Sequence, residues 1–325
     1  MENDDIEPRQ NVLARLVGLV NPFPSAMIGW DNPVFERQVR LLRWPRASRL
    51  SNRQLIVDAK LAGLKRYTVT FGCLIPLLLV IALSILVNRN SNAFYVFTSL
   101  LPFAAFAGLG FSVLCNIYYV VAAINTILPQ MSTAQWEPLR LTLLTEEDIL
   151  SANHATIQMR VWRAVLLEIA TRLLLILSPL LGAIIYLLHT EGGAALNWSG
   201  VAPYLALAIL LLVGFVLEPL WRMRTVTLIG MTVAAWAKSY GVALLVAFGA
   251  VLLLLCLQLV AIIGVSVFII RAGAALTSRY DAYDQNRILL FAFFAEGLMI
   301  LSVFFFFKLS QFVVFTRLKR LAFRG

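Results

Sequence analysis

Apolar residues in this chain gather in long unbroken runs separated by short polar segments, rather than alternating with polar ones as on the half-buried faces of a soluble fold. A run of ~20 apolar residues suffices for a helix to cross a ~30 Å hydrocarbon layer. Six such runs are present, over about 67–87, 94–124, 164–188, 201–220, 241–270 and 288–315. Between them lie NRNSN (88–92), a polar stretch over about 125–163, and HTEGGAALNWSG (189–200). The mixed segment 221–240 reads either as an extension of the fourth helix or as a tight cytoplasmic re-entry. The pattern predicts an all-α membrane protein with six transmembrane helices. Residues 1–66 form a cytoplasmic N-terminal region and 67–325 the transmembrane domain.

Composition agrees. Of 325 residues, 60% are hydrophobic and 14% charged, where soluble chains run near half and a quarter, and the mean hydropathy is +0.83. The net charge of +10 changes the picture through its distribution. With the N-terminus inside, cytoplasmic segments carry 21 of the 27 Lys and Arg and external segments 4. That split predicts cytoplasmic N- and C-termini, and a multi-pass protein of a prokaryotic plasma (inner) membrane. Basic residues beside apolar spans predict contact with anionic membrane lipids and no nucleic-acid partner, since no soluble basic domain accompanies them. The acidic opening MENDDIEPRQ is not followed by an apolar core, so no cleaved signal peptide is expected.

Two polar regions carry further information. Asn32-Pro33 has the cap and first-turn chemistry of a helix start. After it, Val34, Phe35, Val39, Leu41 and Leu42 fall on one side, with Glu36, Arg37, Arg40 and Arg43 opposite. This is an amphipathic helix suited either to the membrane interface or to a partner protein. Between spans two and three, Thr145 with Asp148 three residues on makes a capping box, and Glu146 and Glu147 occupy the favourable first turn. A helical cytoplasmic loop is expected there, either a docking element or a connector that closes the bundle.

At these residues the chain resembles the permease subunits of ABC-2-type transporters. NPVFERQVRLLR is similar to their NPvl-x-kElR-x-rlR opening, and QWEPLRLTLLTEEDIL to their gTwelLllTPLs-x-x-eIl signature after span two. TLIGMTVAAWAKSYGVALLVAF resembles their alGllvSawar-s-r-aall segment. Gln38 stands at the acidic position of the first motif and Leu143 at the proline of the second. The resemblance implies a coupling-type loop over about 125–163 that docks on a separate P-loop ATPase subunit. On that analogy the docking surface is Trp136, Glu137, Leu139, Thr142, Thr145 and Glu147, and a second permease half completes a homo- or heterodimer. The chain has no GxxxxGK[ST] phosphate loop, so ATP hydrolysis would belong to the partner.

Charged residues inside spans are costly and mark functional candidates. Glu168 and Arg172 lie four apart and can pair along one helix face. Glu218, next to Pro219, falls near the cytoplasmic end of span four, where a carboxylate reaches water and the proline marks a kink. Glu296 lies about nine residues into span six, or ~13 Å. It faces a bundle cavity or another helix, with a substrate or proton role as the sharper alternative. Lys308 is expected to snorkel toward the cytoplasm. Ala104, Gly108 and Ser112 recur every four residues in span two and predict a close helix-packing seam.

Catalytic and cofactor signals are sparse. His154 and His189 fall on opposite sides of the membrane, and Cys73, Cys115 and Cys256 sit inside apolar runs without a CxxC pair. No metal, cofactor or catalytic residue is therefore expected, and the cysteines are expected to be buried and reduced. Tyr280-Asp281-Ala282-Tyr283-Asp284 contains a DxxD pair without a second acidic cluster beside it, and reads as a solvated loop. Two functions are consistent with this pattern. One is an exporter permease driven by a separate ATPase; the other is a non-transporting structural or assembly subunit of a larger membrane complex.

Overall fold

The computed structural model describes residues 34, 91–132, 144–190, 198–237, 239–277 and 285–323. Within them the chain is all-helical: α1 Ser91–Ser132, α2 Glu146–Thr190, α3 Trp198–Trp236, α4 Tyr240–Thr277 and α5 Gln285–Phe323. The first predicted span and nearly all of the amphipathic N-terminal helix lie outside the described residues. Val34 alone is described there, helical and buried.

Among the described residues, three segments are long and apolar enough to cross a membrane: Gly110–Met131, Tyr240–Ala274 and Leu290–Ala322. Only 6% of an 18-residue apolar stretch in each of the last two is buried within the protein, so their apolar faces need lipid rather than water as solvent. This makes the chain a multi-pass helical membrane protein.

The polar stretches do not break the helices where hydropathy alone places the ends. α1 continues through Asn125 and Thr126 to Ser132, and α2 passes from its polar first half into the apolar second half without a break. Within the helical loop expected over 125–163, residues 125–132 continue α1 and 146–163 form the first part of α2. Likewise 221–236 extends α3 rather than re-entering. The physical reason is burial: from Pro219 to Met231 every residue of α3 is buried, so its polar side chains are held by neighbours instead of water.

The core forms where the second half of α1, the first half of α2 and the second half of α3 meet, around Tyr119, Ile124, Ile157, Trp162, Met223 and Met231. α5 packs against α3, with Trp221 and Phe304 edge to face at 5.2 Å. Gly230 permits a close approach of α1 to α3. A methyl group there would sit 2.7 Å from Cβ of Ala123 and 3.2 Å from the carbonyl oxygen of Val120.

Local signals act as read at the start of α2. The Thr145 amide and hydroxyl donate to Asp148 Oδ2 at 3.2 and 2.6 Å, and the Asp148 amide donates to Thr145 Oγ1 at 3.2 Å. The cysteines divide. Cys115 is buried, whereas Cys256 is exposed on the outer, apolar side of α4, a correction that follows from that helix being apolar all round.

Candidate functional site

The site is built from charges that the helices carry into the apolar bundle. Glu168, on α2, is 1% exposed. One of its oxygens, Oε1, accepts from the Ser112 hydroxyl of α1, from Nη2 of Arg222 on α3, and from Nη2 of Arg172 one turn along α2 at 3.1 Å. The other, Oε2, accepts from the Tyr119 hydroxyl of α1 at 3.1 Å. Ser112 Oγ in turn accepts from Arg222 Nη2 at 2.6 Å and Arg172 Nη2 at 3.3 Å.

Glu218, on α3, completes the group. Its Oε2 lies 2.7 Å from Arg172 Nη1, and its Oε1 lies 3.6 Å from Arg222 Nε. Gln258 of α4 donates to the same Oε1 at 3.1 Å. Glu218 therefore meets two guanidinium groups and an amide rather than open water, contrary to the expectation from its place near a span end. Two carboxylates and two guanidinium groups sum to zero charge. In low dielectric that balance matters, because each unpaired ion costs several kcal/mol or more.

Depth follows from Gln258. It lies 18 residues beyond Tyr240, or ~27 Å along α4, in the middle of the segment Tyr240–Ala274. The cluster thus joins α1, α2, α3 and α4 beside an apolar stretch of α4.

Pro219 contributes indirectly. Lacking an N–H, it leaves the carbonyl of Phe215, four residues earlier, without a helical donor. Arg172 Nη1 donates to that carbonyl at 3.1 Å, and its guanidinium lies 4.6 Å from the centre of the Phe215 ring. The arginine thereby satisfies the defect in α3 and faces an aromatic surface.

A second buried polar group joins the first half of α2 to the second half of α3. His154 Nε2 stands 3.2 Å from the Arg224 carbonyl and 3.0 Å from Thr227 Oγ1, and Gln158 Nε2 lies 3.2 Å from His154 Nδ1. The Arg224 carbonyl can only accept, so the ring donates to it from Nε2, and the Gln158 amide nitrogen lies beside the ring edge, 3.0 Å from Nε2 as well. Burial lowers the imidazole from 6.5 to about 4. Nearby, Arg160 donates to Thr126 Oγ1 at 3.0 Å, linking α2 to α1.

The remaining sequence candidates scatter. Trp136, Glu137, Leu139 and Thr142 lie outside the described residues. Thr145 caps α2, and Glu147 is exposed, bonded by Lys319 Nζ at 2.7 Å. Of the expected seam, Ser112 turns toward Glu168, Gly108 is half-buried, and the side chain of Ala104 lies outside the described residues. Glu296 is half-buried on α5, away from the cluster, with Oε2 buried and unbonded. Lys308 Nζ lies 5.7 Å from the Phe304 ring centre. Among the described residues no group of three or more His, Cys, Asp or Glu could hold a metal ion.

Arg222, Tyr119 and Gln258 were not singled out in the sequence, and each is central. The available signal for Arg222 was its spacing of four from Glu218; Tyr119 and Gln258 carried none. These features define a helical membrane protein built around a buried, charge-balanced four-residue cluster. Comparison with protein-family profiles, with curated proteins and with solved structures finds no match.

Proposed function

We propose that this chain is the permease subunit of an ABC-2-type exporter in a prokaryotic plasma membrane, both termini cytoplasmic, pairing with a second permease half. A separate P-loop ATPase supplies the energy. The observation that carries this reading is the position of the capped start of α2. The segment resembling the family's coupling signature includes Thr145, Glu146, Glu147 and Asp148, all exposed. From there α2 runs unbroken to Glu168, 22 residues or ~33 Å further on. A partner docked at the capped end would press on one stiff rod whose inner part holds the cluster joining four helices. Force at the surface would then become relative movement of α1, α3 and α4 about that cluster.

The test is purification of the tagged chain in mild detergent, with its partners identified. A co-purifying P-loop ATPase whose hydrolysis is stimulated by the chain, and less so by an E147R variant, supports the reading. Recovery in functional form without any nucleotide-binding partner overturns it.

A structural or assembly subunit is the second reading, and the cluster itself favours it. Glu168 is fully bonded and enclosed, as suits a permanent clamp. That reading expects stable association with other integral subunits and no nucleotide dependence.

A further inference from the structure

We propose that the groove between α3, α4 and α5 beside Trp236 and Arg317 is a binding site for one anionic phospholipid. The site is independent of the permease reading. The groove measures about 490 Å³, within the range of about 300–1,000 Å³ typical of small-molecule sites. Its walls are apolar, formed among others by Val233 of α3, Ala250 of α4 and Val314 of α5. Thr232 is there too, but its hydroxyl is spent on the Leu228 carbonyl at 2.8 Å. Such walls suit an acyl chain and offer nothing to a sugar, nucleotide or peptide backbone, which would need several buried polar partners.

One charge marks the lip. Arg317 lines the groove, is exposed, and has no carboxylate within ion-pair distance among the described residues. Its neighbour Lys319, by contrast, is occupied by Glu147 at 2.7 Å. Trp236, the last residue of α3, is 58% exposed at the same groove. An indole and a guanidinium at helix ends are the side chains that settle at the headgroup level. The chain also turns there: α4 starts at Tyr240, and its first amides place partial positive charge at that end of the helix. Chain, phosphate and level in the membrane therefore call for one lipid whose headgroup carries net negative charge.

The experiment uses the full chain in detergent, incubated with equimolar phosphatidylglycerol and phosphatidylcholine, with retained lipid counted by native mass spectrometry. Wild type is expected to retain one phosphatidylglycerol in preference to phosphatidylcholine. The R317Q variant should lose that preference about fivefold, the effect of one basic group near an anionic surface. The R320Q variant, which removes a charge outside the groove, should keep it. A250W should retain neither lipid, and V313W at the exposed lip gives the same reading should A250W fold poorly. Wild-type selectivity in R317Q, equal losses in R317Q and R320Q, retention with the groove filled, or displacement by inorganic phosphate would each overturn the proposal.

Discussion

Arg172 of α2 donates to the backbone carbonyl of Phe215 on α3, the carbonyl that Pro219 leaves without a helical partner. A proline that would weaken an isolated helix is thus turned into an attachment point for a neighbouring one. The dependence is testable by a double-mutant cycle. Pro219→Ala supplies the missing N–H, so Arg172→Lys should cost less in that background than in wild type. A coupling of about 1 kcal/mol is expected from thermal unfolding in detergent. Strict additivity would show that the Phe215 carbonyl contributes nothing to holding Arg172.

The cluster should be least tolerant of losing one charge. Glu168→Gln leaves two guanidinium groups facing the single carboxylate of Glu218, and should cost about 3–5 kcal/mol. Replacing Glu168 by Leu together with Arg222 by Met removes one charge of each sign and should recover most of that loss. Circular-dichroism melts of the three proteins decide it. A single variant as stable as wild type would mean the cluster is wetter than its enclosed geometry implies.

His154 makes stability depend on pH. Its imidazole is lowered from 6.5 to about 4 by burial, so the unfolded chain takes up a proton that the folded chain refuses. Its contribution is complete above about pH 6.5 and is lost as pH falls through about 4. The loss amounts to about 3 kcal/mol over that window. Melting temperature followed from pH 7.5 to 4.5 should fall more steeply for wild type than for His154→Gln. Parallel curves would place a charged or solvated histidine at this position.

Gly230→Ala is expected to cost about 1–3 kcal/mol, because the added methyl meets Cβ of Ala123 and the Val120 backbone, neither of which can turn away. Gly214 meets Cγ1 of Ile300 at 2.7 Å but no backbone, so it should be somewhat cheaper to replace. Gly264 on α4 faces open space, where alanine should be neutral or slightly stabilising. Denaturant titration of the three alanine variants ranks them.

What was readable in advance follows interaction range. The apolar runs foretold helices in lipid because a helix satisfies its own backbone, so composition alone selects it. Thr145–Asp148 and Glu168–Arg172 were equally legible, since partners three or four residues apart meet on one helix face whatever surrounds them. Helix ends were less so. For 221–236 the sequence left a helix extension and a re-entry open, and burial of its polar residues among neighbouring helices decided for the extension.

The sequence by itself determined the class of protein, most of each helix and the close-range pairs. Only the tertiary structure decided that Arg222, which charge counting assigns to the cytoplasmic side, enters the bundle to meet Glu168 fifty-four residues away. It alone brought Tyr119 and Gln258 to the same carboxylates. Such partners are chosen by how helices cross. A crossing is set by the fit of whole surfaces, including the small space at Gly230, and no local spacing encodes it.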